Sequence, residues 1–437
     1  MQLIKFPERN SRTEILTRPT IDNSSLEKTV SEILLEVKTN GDAAVRKYSK
    51  KFDGIELSDL LVREKEFSEA AKSISAELKL GIDLAKSNIE KFHLSQKEEV
   101  KIIETTKGVQ CWRKSIAIEK VGLYIPGGTA PLFSTILMLG IPAKIVGCKE
   151  IVLCTPPNKD GKINPVILFA AQLIGISKIF KIGGAQAVAA MSYGTESVLK
   201  VHKIFGPGNQ YVTCAKQLVN KEGIAIDMPA GPSEVAILAD DSCIPEFVAA
   251  DLLSQAEHGT DSQVILVSDN EQVIVKVQKE IETQLEKLPR KEIAKQALKN
   301  SKAILVKTKN EAIELLNEYA PEHLIIVCKD EESTAEKIIN AGSVFLGNYS
   351  CESAGDYASG TNHTLPTNGY AKAYSGVSLD SFVKKITFQK LSQQGLQNIG
   401  SAIELMAEAE GLQAHKNAVT IRIKGTSGTS VPVKKKR

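Results

Sequence analysis

Short apolar runs alternate with helical segments from Gly122 to about residue 350, and this alternation restricts the possible folds more than any other feature of the sequence. Alternation of this kind is typical of parallel β-sheets whose faces are covered by helices. It falls into two blocks, roughly residues 124–233 and 234–350, so we expect two α/β units rather than one large sheet. The predicted strands cover residues 151–154, 179–182, 203–205, 235–238, 264–267, 303–306, 324–327 and 344–346.

The region before these blocks is mostly helical by pattern. Its predicted elements are a helix from Ser24 or Ser25 to about Gly41, a second helix over residues 43–52, and a long charged helix over residues 64–93. Residues 101–124 change to a period of two, which indicates paired strands. The most apolar stretch, residues 130–147, is interrupted by polar residues, glycine and proline, so it predicts a buried helix rather than a membrane span.

The character of the chain changes again after Gly376. Residues 378–424 predict helices without strand partners. Such a helical arm cannot bury its apolar stripe alone, so we expect it to dock elsewhere. Residues 425–437 predict a flexible basic tail, to which we assign no function.

The composition argues against several classes of protein. A formal net charge of +3 is too small to argue for binding to nucleic acid or to a membrane surface. The seven cysteines are scattered and none is spaced as Cys-x-x-Cys, which favours reduced thiols in a cytoplasmic protein over disulfides or a thiolate zinc site. The first residues contain no apolar region of the kind that a signal peptide requires.

Gln255 and His258 lie at the end of a predicted helix that stops at Gly259. Because they are three residues apart, their side chains project from one face of the last turn. An amide oxygen and an imidazole nitrogen held in this way form half of a metal site, although a polar helix end can show the same spacing without any ligand. Asp356, in a polar loop, and His415, in the C-terminal arm, would complete a set of two nitrogens and two oxygens. That set suits Zn²⁺ and also accepts Mn²⁺ or Co²⁺.

Glu322 and His323 are an adjacent carboxylate and imidazole in the turn that enters the predicted strand at residues 324–327. These two side chains are the best suited to moving protons near neutral pH. Two considerations count against a catalytic pair. Neighbours in an extended segment point to opposite sides, and ligands in open α/β sheets usually bind beyond the carboxyl ends of the strands. Two solvated turn residues therefore remain the alternative.

Three glycine-rich turns occur at strand-to-helix junctions of the first block, at residues 125–130, 182–186 and 205–209. Backbone amides at such turns suit a pyrophosphate. None of them completes Gly-x-Gly-x-x-Gly, since Tyr211 stands where a third glycine would follow Gly206 and Gly208. Spacing alone is therefore a weak signal for a dinucleotide.

Longer motifs carry more specific information. They read Leu-Leu-Ser-Gln-Ala-Glu-His-Gly at 252–259, Ala-Pro-Glu-His at 320–323, Ala-Gly-Asp-Tyr-Ala-Ser-Gly-Thr-Asn-His at 354–363, Ala-His-Lys-Asn-Ala at 414–418, Gly-Pro-Gly-Asn at 206–209 and Asp-Met-Pro-Ala-Gly-Pro-Ser-Glu at 227–234. Together they closely resemble the histidinol dehydrogenase family, in order, over about residues 20–423.

The resemblance implies an enzyme of the last two steps of histidine biosynthesis, which oxidises L-histidinol through histidinaldehyde to L-histidine with two NAD⁺. It implies one zinc ion per subunit and a homodimer whose exchanged C-terminal arm lends His415 to the neighbouring subunit's zinc. The implied zinc ligands are Gln255, His258, Asp356 and His415, and the implied catalytic residues are Glu322 and His323. The implied substrate-binding residues are the four zinc ligands together with Ser233, His323, His363 and Glu410. The implied NAD-binding residues are Tyr124, Gln186 and Asn209.

The fold implied by the resemblance is α/β, with two incomplete Rossmann-like domains similar to those of aldehyde dehydrogenases and a helical C-terminal arm. Incomplete Rossmann-like domains would account for the missing dinucleotide fingerprint. The implied division is an N-terminal segment (1–21), a discontinuous zinc-binding and catalytic domain (22–123 plus 234–377), an NAD-binding domain (124–233) and the arm with its tail (378–437).

In the expected mechanism, His323, neutral near pH 7, takes the hydroxyl proton, and Glu322 activates a water for the aldehyde step. No cysteine stands in these motifs, so we do not expect a covalent thiol intermediate. Two alternatives stay open: a related zinc- and NAD-dependent dehydrogenase of another polar alcohol, and a zinc hydrolase that uses no nicotinamide. A non-catalytic binding scaffold would need neither the metal set nor the paired acid and base.

Overall fold

The computed structural model describes residues 1–19, 24–127, 131–229 and 231–425, and the chain forms two compact units. The first unit consists of Met1–Gln96 and Ile118–Phe382, and the second of Lys97–Ala117 and Val383–Arg437. The predicted basic tail and part of the first glycine-rich turn lie outside the described residues. No helix among the described residues combines the length and the hydropathy that a membrane crossing requires.

The described residues of the two units form the following strands and helices, which alternate through most of the first unit. The strands are β1 (Gln2–Lys5), β2 (Ile103–Thr106), β3 (Val109–Ala117), β4 (Lys120–Tyr124), β5 (Glu150–Thr155), β6 (Lys178–Lys181), β7 (Lys203–Phe205), β8 (Ala225–Ile226), β9 (Glu234–Ala239), β10 (Gln263–Ser268), β11 (Lys302–Leu305), β12 (His323–Val327), β13 (Ser343–Leu346) and β14 (Val383–Leu391). The α-helices are α1 (Arg12–Ile15), α2 (Ser24–Asp53), α3 (Glu64–Ser73), α4 (Ala76–Leu94), α5 (Phe133–Val146), α6 (Pro165–Leu173), α7 (Gly184–Tyr193), α8 (Gln210–Lys221), α9 (Pro245–Ala256), α10 (Glu271–Leu285), α11 (Lys291–Lys299), α12 (Lys309–Tyr319), α13 (Glu331–Ala335), α14 (Glu352–Tyr357), α15 (Gln393–Ala409) and α16 (Gln413–Lys424).

Two parallel sheets form the framework of the first unit. One has the strand order β6-β5-β4-β7-β8 and the other β1-β11-β10-β9-β12-β13. Every residue of β9, β10 and β12 is buried, as a sheet covered by helices on both faces requires. Each strand predicted in the two blocks is present, so the expected α/β class with two sheets is confirmed.

The N-terminal helices pack against the five-stranded sheet's helices. Contacts join α2 to α7 and α8, α3 to α6, and α4 to α5. Val30 and Ile33 of α2 share one apolar core with Val188 and Val212. The strand before them, β1, adds to the six-stranded sheet, beside β11. The predicted domain boundaries, with residues 22–123 and 234–377 in one discontinuous domain, stay a prediction.

Two helix predictions are resolved by local backbone conformation. The expected break near Gly41 is present, since this residue has φ +51° inside α2, a value that favours glycine. The long helix expected over residues 64–93 is instead two helices, α3 and α4. Ile74 is extended between them, and the Ser75 hydroxyl accepts a hydrogen bond from Leu78 N and so caps α4.

The second unit contains an antiparallel sheet with the order β14-β3-β2, followed by α15 and α16. The prediction that residues 378–424 are helices without strand partners is therefore wrong for β14, which pairs with β3 along all nine of its residues. Ile386, Thr387 and Phe388 favour a strand, and Phe388 stacks on Trp112 of β3 with ring centroids 5.5 Å apart. The helical prediction holds for the rest of the arm.

Candidate active site

Most of the predicted catalytic and metal-binding residues meet at the amino-terminal edge of the six-stranded sheet. β12 begins at His323, which is in register with Val235 of β9. α9 connects β9 to β10, so its last turn, with Gln255, returns to the edge at which these strands begin. α14, which carries Asp356, contacts α9. The pair at residues 322–323 thus lies at the edge opposite to the usual ligand-binding edge of an open α/β sheet.

The residues expected to bind metal bring nitrogen and oxygen donors together. Ligand atoms of His258, Glu352 and Asp356 all lie within 4.8 Å of one another. Gln255 Nε2 is 3.4 Å from His258 Nδ1, and its fully buried Oε1 has no hydrogen-bond partner among the described residues. A buried amide oxygen without a partner is costly unless a ligand satisfies it. This donor set, free of thiolate, fits a zinc-class cation.

Glu352 belongs to this donor group, although the sequence analysis did not select it. Its side chain is 1% exposed, and its Oε2 has no hydrogen-bond partner within the described part of the chain. Burial raises the pKa of Glu352 well above its usual value. Asp251 accepts a hydrogen bond from Glu352 N, and burial raises the pKa of Asp251 to about 6. The spacing in the sequence could have indicated that Glu352 belongs to the site. Residues 352 and 356, like residues 251 and 255, are four positions apart and therefore lie on one face of a helix.

The Glu322 and His323 side chains are buried in the same place. Glu234 N donates to Glu322 Oε2 at 3.0 Å, and His323 Nδ1 lies 3.4 Å from the carbonyl oxygen of Glu234. His323 Nδ1 is 3.7 Å from Glu322 Oε2, and His323 Nε2 is 3.5 Å from Asp356 Oδ1. The alternative of two solvated turn residues is therefore wrong, since both side chains are at least nine-tenths buried.

The electrostatics of this pair differ from the expectation of a neutral imidazole. Burial acts against the charged form of His323, but the surrounding carboxylates, Glu322 first and then Glu352 and Asp356, raise its pKa to about 10. Burial raises the pKa of Glu322 to about 7. Burial alone would raise the pKa of Asp356, yet the charge of His323, whose Nε2 lies 3.5 Å from Asp356 Oδ1, holds it below its usual value. A cluster with this excess of carboxylates suits a bound cation.

Histidines 258 and 363 stand in a different environment from His323. His258 is exposed. The protein nonetheless excludes part of the water around its ring, and this desolvation lowers the pKa of His258 although the charge of Asp356 acts to raise it. Burial also lowers the pKa of His363. His363 Nδ1 lies 2.9 Å from the carbonyl oxygen of Asp356, and its Nε2 lies 3.1 Å from Thr135 Oγ1 in the first turn of α5. His363 therefore links the donor group to the helix that follows β4.

Ser233 is half-buried immediately before β9, and its carbonyl oxygen accepts a hydrogen bond from Gln263 N at 3.3 Å. It is thus next to Glu234, whose backbone contacts Glu322 and His323. His415 and Glu410 lie in the second unit, His415 on α16 and Glu410 directly after α15, and both are exposed.

Two of the residues expected to contact NAD lie beside the carboxyl edge of the five-stranded sheet. Tyr124 ends β4, and its hydroxyl accepts a hydrogen bond from Gly184 N at 3.0 Å at the start of α7. Burial raises the pKa of Tyr124 to about 12, so the phenol stays protonated. Gln186 on α7 is 1% exposed, and its Oε1 has no hydrogen-bond partner among the described residues.

The third residue, Asn209, follows β7 at the same edge. Its side chain caps α8 by accepting hydrogen bonds from the backbone amides of Tyr211 and Val212. Gly206, three residues before it, has φ +123°, and a Cβ there would lie 2.0 Å from the carbonyl oxygen of Tyr124. Only glycine fits such a close approach. Carboxyl strand ends followed by helix N-termini are the usual setting for a dinucleotide.

The chain is similar to histidinol dehydrogenases along nearly its whole length. The family model described as histidinol dehydrogenase matches residues 16–423. Histidinol dehydrogenase from Bacteroides fragilis is 63% identical over 423 residues, which cover 97% of this chain and 99% of that one. The chloroplastic histidinol dehydrogenase of Arabidopsis thaliana is 53% identical, over 93% of this chain and 88% of its own.

The same similarity extends to three dimensions. The crystal structure of histidinol dehydrogenase from Elizabethkingia anophelis superposes with a TM-score of 0.97. The two sequences are 56% identical, and the match covers 98% of this chain and 99% of that chain. Identity at this level extends over both parallel sheets and over the second unit.

Proposed function

The chain belongs to the histidinol dehydrogenase family and is an NAD-dependent oxidoreductase, and from this premise we propose that it oxidises L-histidinol to L-histidine through histidinaldehyde. The first step removes a hydride and a proton from the alcohol and gives the aldehyde. Water then adds to the aldehyde, and the hydrate loses a second hydride and proton to give the carboxylate. Two NAD⁺ accept the two hydrides, so four electrons leave the substrate in total.

The observation that carries this proposal is the buried acid–base pair beside the donor group. Gln255, His258 and Asp356 would hold a zinc ion, and the unpartnered Gln255 Oε1 supports this assignment. A bound zinc ion would supply a fixed positive charge that orients the substrate's imidazole and amine. Hydride acceptance belongs to the nicotinamide.

His323 is the proposed base of the first oxidation. Its Nε2 points to the donor group, 3.5 Å from Asp356 Oδ1, and has no hydrogen-bond partner among the described residues. Its Nδ1 is occupied by the carbonyl oxygen of Glu234, so Nε2 is the nitrogen that faces substrate. Neutralising the carboxylates that raise its pKa would free the ring to accept the hydroxyl proton.

Glu322 is the proposed base for the addition of water to the aldehyde. A pKa raised to about 7 leaves this carboxyl able both to accept and to release a proton near neutral pH. Its Oε2 is held by Glu234 N at 3.0 Å, so the carboxyl keeps one orientation. Glu322 therefore takes the water proton as the hydrate forms, while His323 takes a proton in each oxidation.

The nicotinamide cofactor would bind at the carboxyl edge of the five-stranded sheet, where Tyr124, Gln186 and Asn209 lie. The N-termini of α7 and α8 begin at this edge and attract phosphate groups. The contact between Thr135 and His363 supports a link between the two sites, since α5, which carries Thr135, is the next described helix after β4. We propose that the reacting carbon and the nicotinamide meet at this junction.

The metal site would be completed by a second copy of the chain. His415 and Glu410 are exposed in the second unit, as residues that serve a neighbouring subunit must be in the isolated chain. We therefore propose a homodimer in which His415 of the arm completes the zinc site of the other subunit and Glu410 contacts its substrate, together with Ser233 and His363. All seven cysteines are free, which supports the reducing cytoplasm as the compartment.

The experiment that tests this proposal compares three reactions of the purified protein. NADH formation from L-histidinol and NAD⁺ should exceed that from polar alcohols without an imidazole, because the proposed site recognises the ring. Hydrolysis of histidine esters without NAD⁺ should be at the background rate. Faster oxidation of an alcohol without the ring, or hydrolysis without nicotinamide, would contradict the proposal. Chelation should abolish NADH formation, and added Zn²⁺ should restore it.

A further inference from the structure

Arg18 connects the N-terminal segment to both backbone segments that present the acid–base pair, and we propose that it is a positioning residue for Glu322 and His323. This inference rests on the proposed function, because it requires that pair to be catalytic. Arg18 is far from both segments in sequence and lies outside every motif that carried the family resemblance. Its side chain is only 15% exposed.

The first contact of Arg18 is with the turn that leads into the pair. Its Nη2 donates to the carbonyl oxygens of Tyr319 at 2.6 Å and Ala320 at 3.4 Å, and its guanidinium carbon lies 3.9 Å from the centre of the Tyr319 ring. These residues end α12, and Pro321, Glu322 and His323 follow directly. The guanidinium therefore fixes the backbone two residues before the catalytic carboxyl.

The turn needs such a fixed anchor because its conformation is unfavourable. Ala320 has φ +53° and ψ +66°, in the left-handed region that residues other than glycine seldom adopt. It also precedes Pro321, and a residue before proline prefers extended backbone. Backbone of this kind persists only when the surrounding contacts determine it, and it concentrates at functional sites. Arg18 supplies two of those contacts, the hydrogen bonds to the carbonyl oxygens.

The second contact of Arg18 is with the strand on the other side of the pair. Arg18 Nε donates to Glu234 Oε2 at 2.5 Å, and the Glu234 side chain is 2% exposed. The backbone of Glu234 holds both catalytic side chains, its N–H donating to Glu322 Oε2 and its carbonyl oxygen lying 3.4 Å from His323 Nδ1. The guanidinium of Arg18 thus contacts both Glu234 at the start of β9 and the turn before β12, and these are the segments that orient Glu322 and His323.

The chemistry of the side chain explains why arginine stands here. A planar guanidinium with five fixed donors can bind a carboxylate, two carbonyl oxygens and an aromatic face at once. A lysine ammonium keeps the charge but lacks that fork. We therefore expect Arg18→Lys to keep the positive charge but to hold Glu322 and His323 less firmly. Arg18→Met should remove both the charge and the forked set of donors.

A matched control lies six residues earlier in the same segment. Arg12 is also buried, and its Nη1 pairs with Glu314 and Glu318 of α12 at 3.3 and 3.2 Å. It ties the segment to the same helix, but it contacts neither Glu234 nor the turn before Pro321. Arg12→Lys therefore reports the effect of loosening the N-terminal segment as a whole.

The test measures kcat and KM for L-histidinol and for histidinaldehyde in Arg18→Lys, Arg18→Met and Arg12→Lys, with zinc content and thermal midpoint measured in parallel. We expect both Arg18 variants to lower kcat by about ten- to a hundredfold, the effect of a small misplacement of catalytic groups. KM for L-histidinol and zinc content should stay near their wild-type values. Arg12→Lys should lower the thermal midpoint and leave kcat unchanged.

Two results would overturn the inference: wild-type kcat in both Arg18 variants, or an equal loss of kcat in Arg12→Lys, which would mean that docking of the segment is what matters. If Arg18→Met does not fold, the comparison of Arg18→Lys with Arg12→Lys decides. Glu322→Gln, assayed in parallel, separates the two levels of the argument. Full oxidation of histidinaldehyde in that variant would refute the proposed catalytic role of Glu322, on which the inference rests, whereas slow oxidation of histidinaldehyde in Glu322→Gln with normal Arg18 variants refutes only the role of Arg18.

Discussion

Replacing Glu322 by glutamine should separate the two oxidations. The amide keeps the size of the side chain, and its oxygen can still accept the hydrogen bond from Glu234 N that holds the carboxyl at 3.0 Å. What it loses is the ability to take a proton from water. We therefore expect the oxidation of histidinaldehyde to fall by about 10² to 10⁴, the usual cost of removing a positioned base.

The first oxidation should be spared because the same change helps His323. Glu322 Oε2 and His323 Nδ1 are 3.7 Å apart. At an effective dielectric constant of about 20, a charge pair at that separation is worth about 4 kcal/mol, or roughly a thousandfold in the proton affinity of the imidazole. Removing the carboxylate thus lowers the pKa of His323 from about 10 towards neutrality. More of the ring is then unprotonated at neutral pH and ready to accept the hydroxyl proton.

The assay is NADH absorbance in a single turnover, started with L-histidinol or with histidinaldehyde, on protein of measured zinc content. Glu322→Gln should give near one NADH per site from L-histidinol, while the second NADH forms slowly. Glu318→Gln, a half-buried partner of Arg12 on α12, is the control and should behave like wild type. An equal loss of both oxidations with zinc retained would refute these roles.

Four further outcomes follow from the geometry. His258→Asn should lower zinc content and activity together, measured by metal analysis, and normal zinc content would exclude His258 as a ligand. Asn209→Ala should raise KM for NAD⁺ and cost about 1 kcal/mol of stability in urea unfolding through loss of the α8 cap; an unchanged KM for NAD⁺ would argue against its cofactor role. A protein truncated before residue 412 should lose zinc and activity, and a normal zinc content would argue against an exchanged arm. Iodoacetamide should leave activity unchanged, since no cysteine is among the proposed catalytic residues; rapid inactivation would point to a thiol nucleophile.

The strand–helix order of the first unit followed from the sequence because its signals are local. Buried parallel strands are short apolar runs, and the break in α2 follows from the left-handed φ of one glycine, Gly41. β14 was missed because its signal is not local. Lysines are interspersed through Val383–Leu391, and the segment becomes a strand by pairing with β3, more than 260 residues earlier in the chain. Tertiary pairing of this kind overrides a local pattern.

The donor residues could be selected only through motifs, and the electrostatics could not be predicted at all. Glu352 shares a helix face with Asp356, but its burial beside His323 depends on how α14 packs against α9. The charges that raise the pKa of His323 depend on the same packing, since they come from Glu322 beside it and from Glu352 and Asp356 on α14. Arg18 carries no local signal of function, because its partners are 216 and 301 residues away.

The most direct measurement of the central claim is the yield of NADH per L-histidinol consumed when the wild-type protein is allowed to exhaust its substrate, with the product identified as L-histidine. An active site that holds the aldehyde and carries it through a second oxidation with Glu322 and His323 gives two NADH for each alcohol. A yield near one, with histidinaldehyde released into solution, would contradict that account.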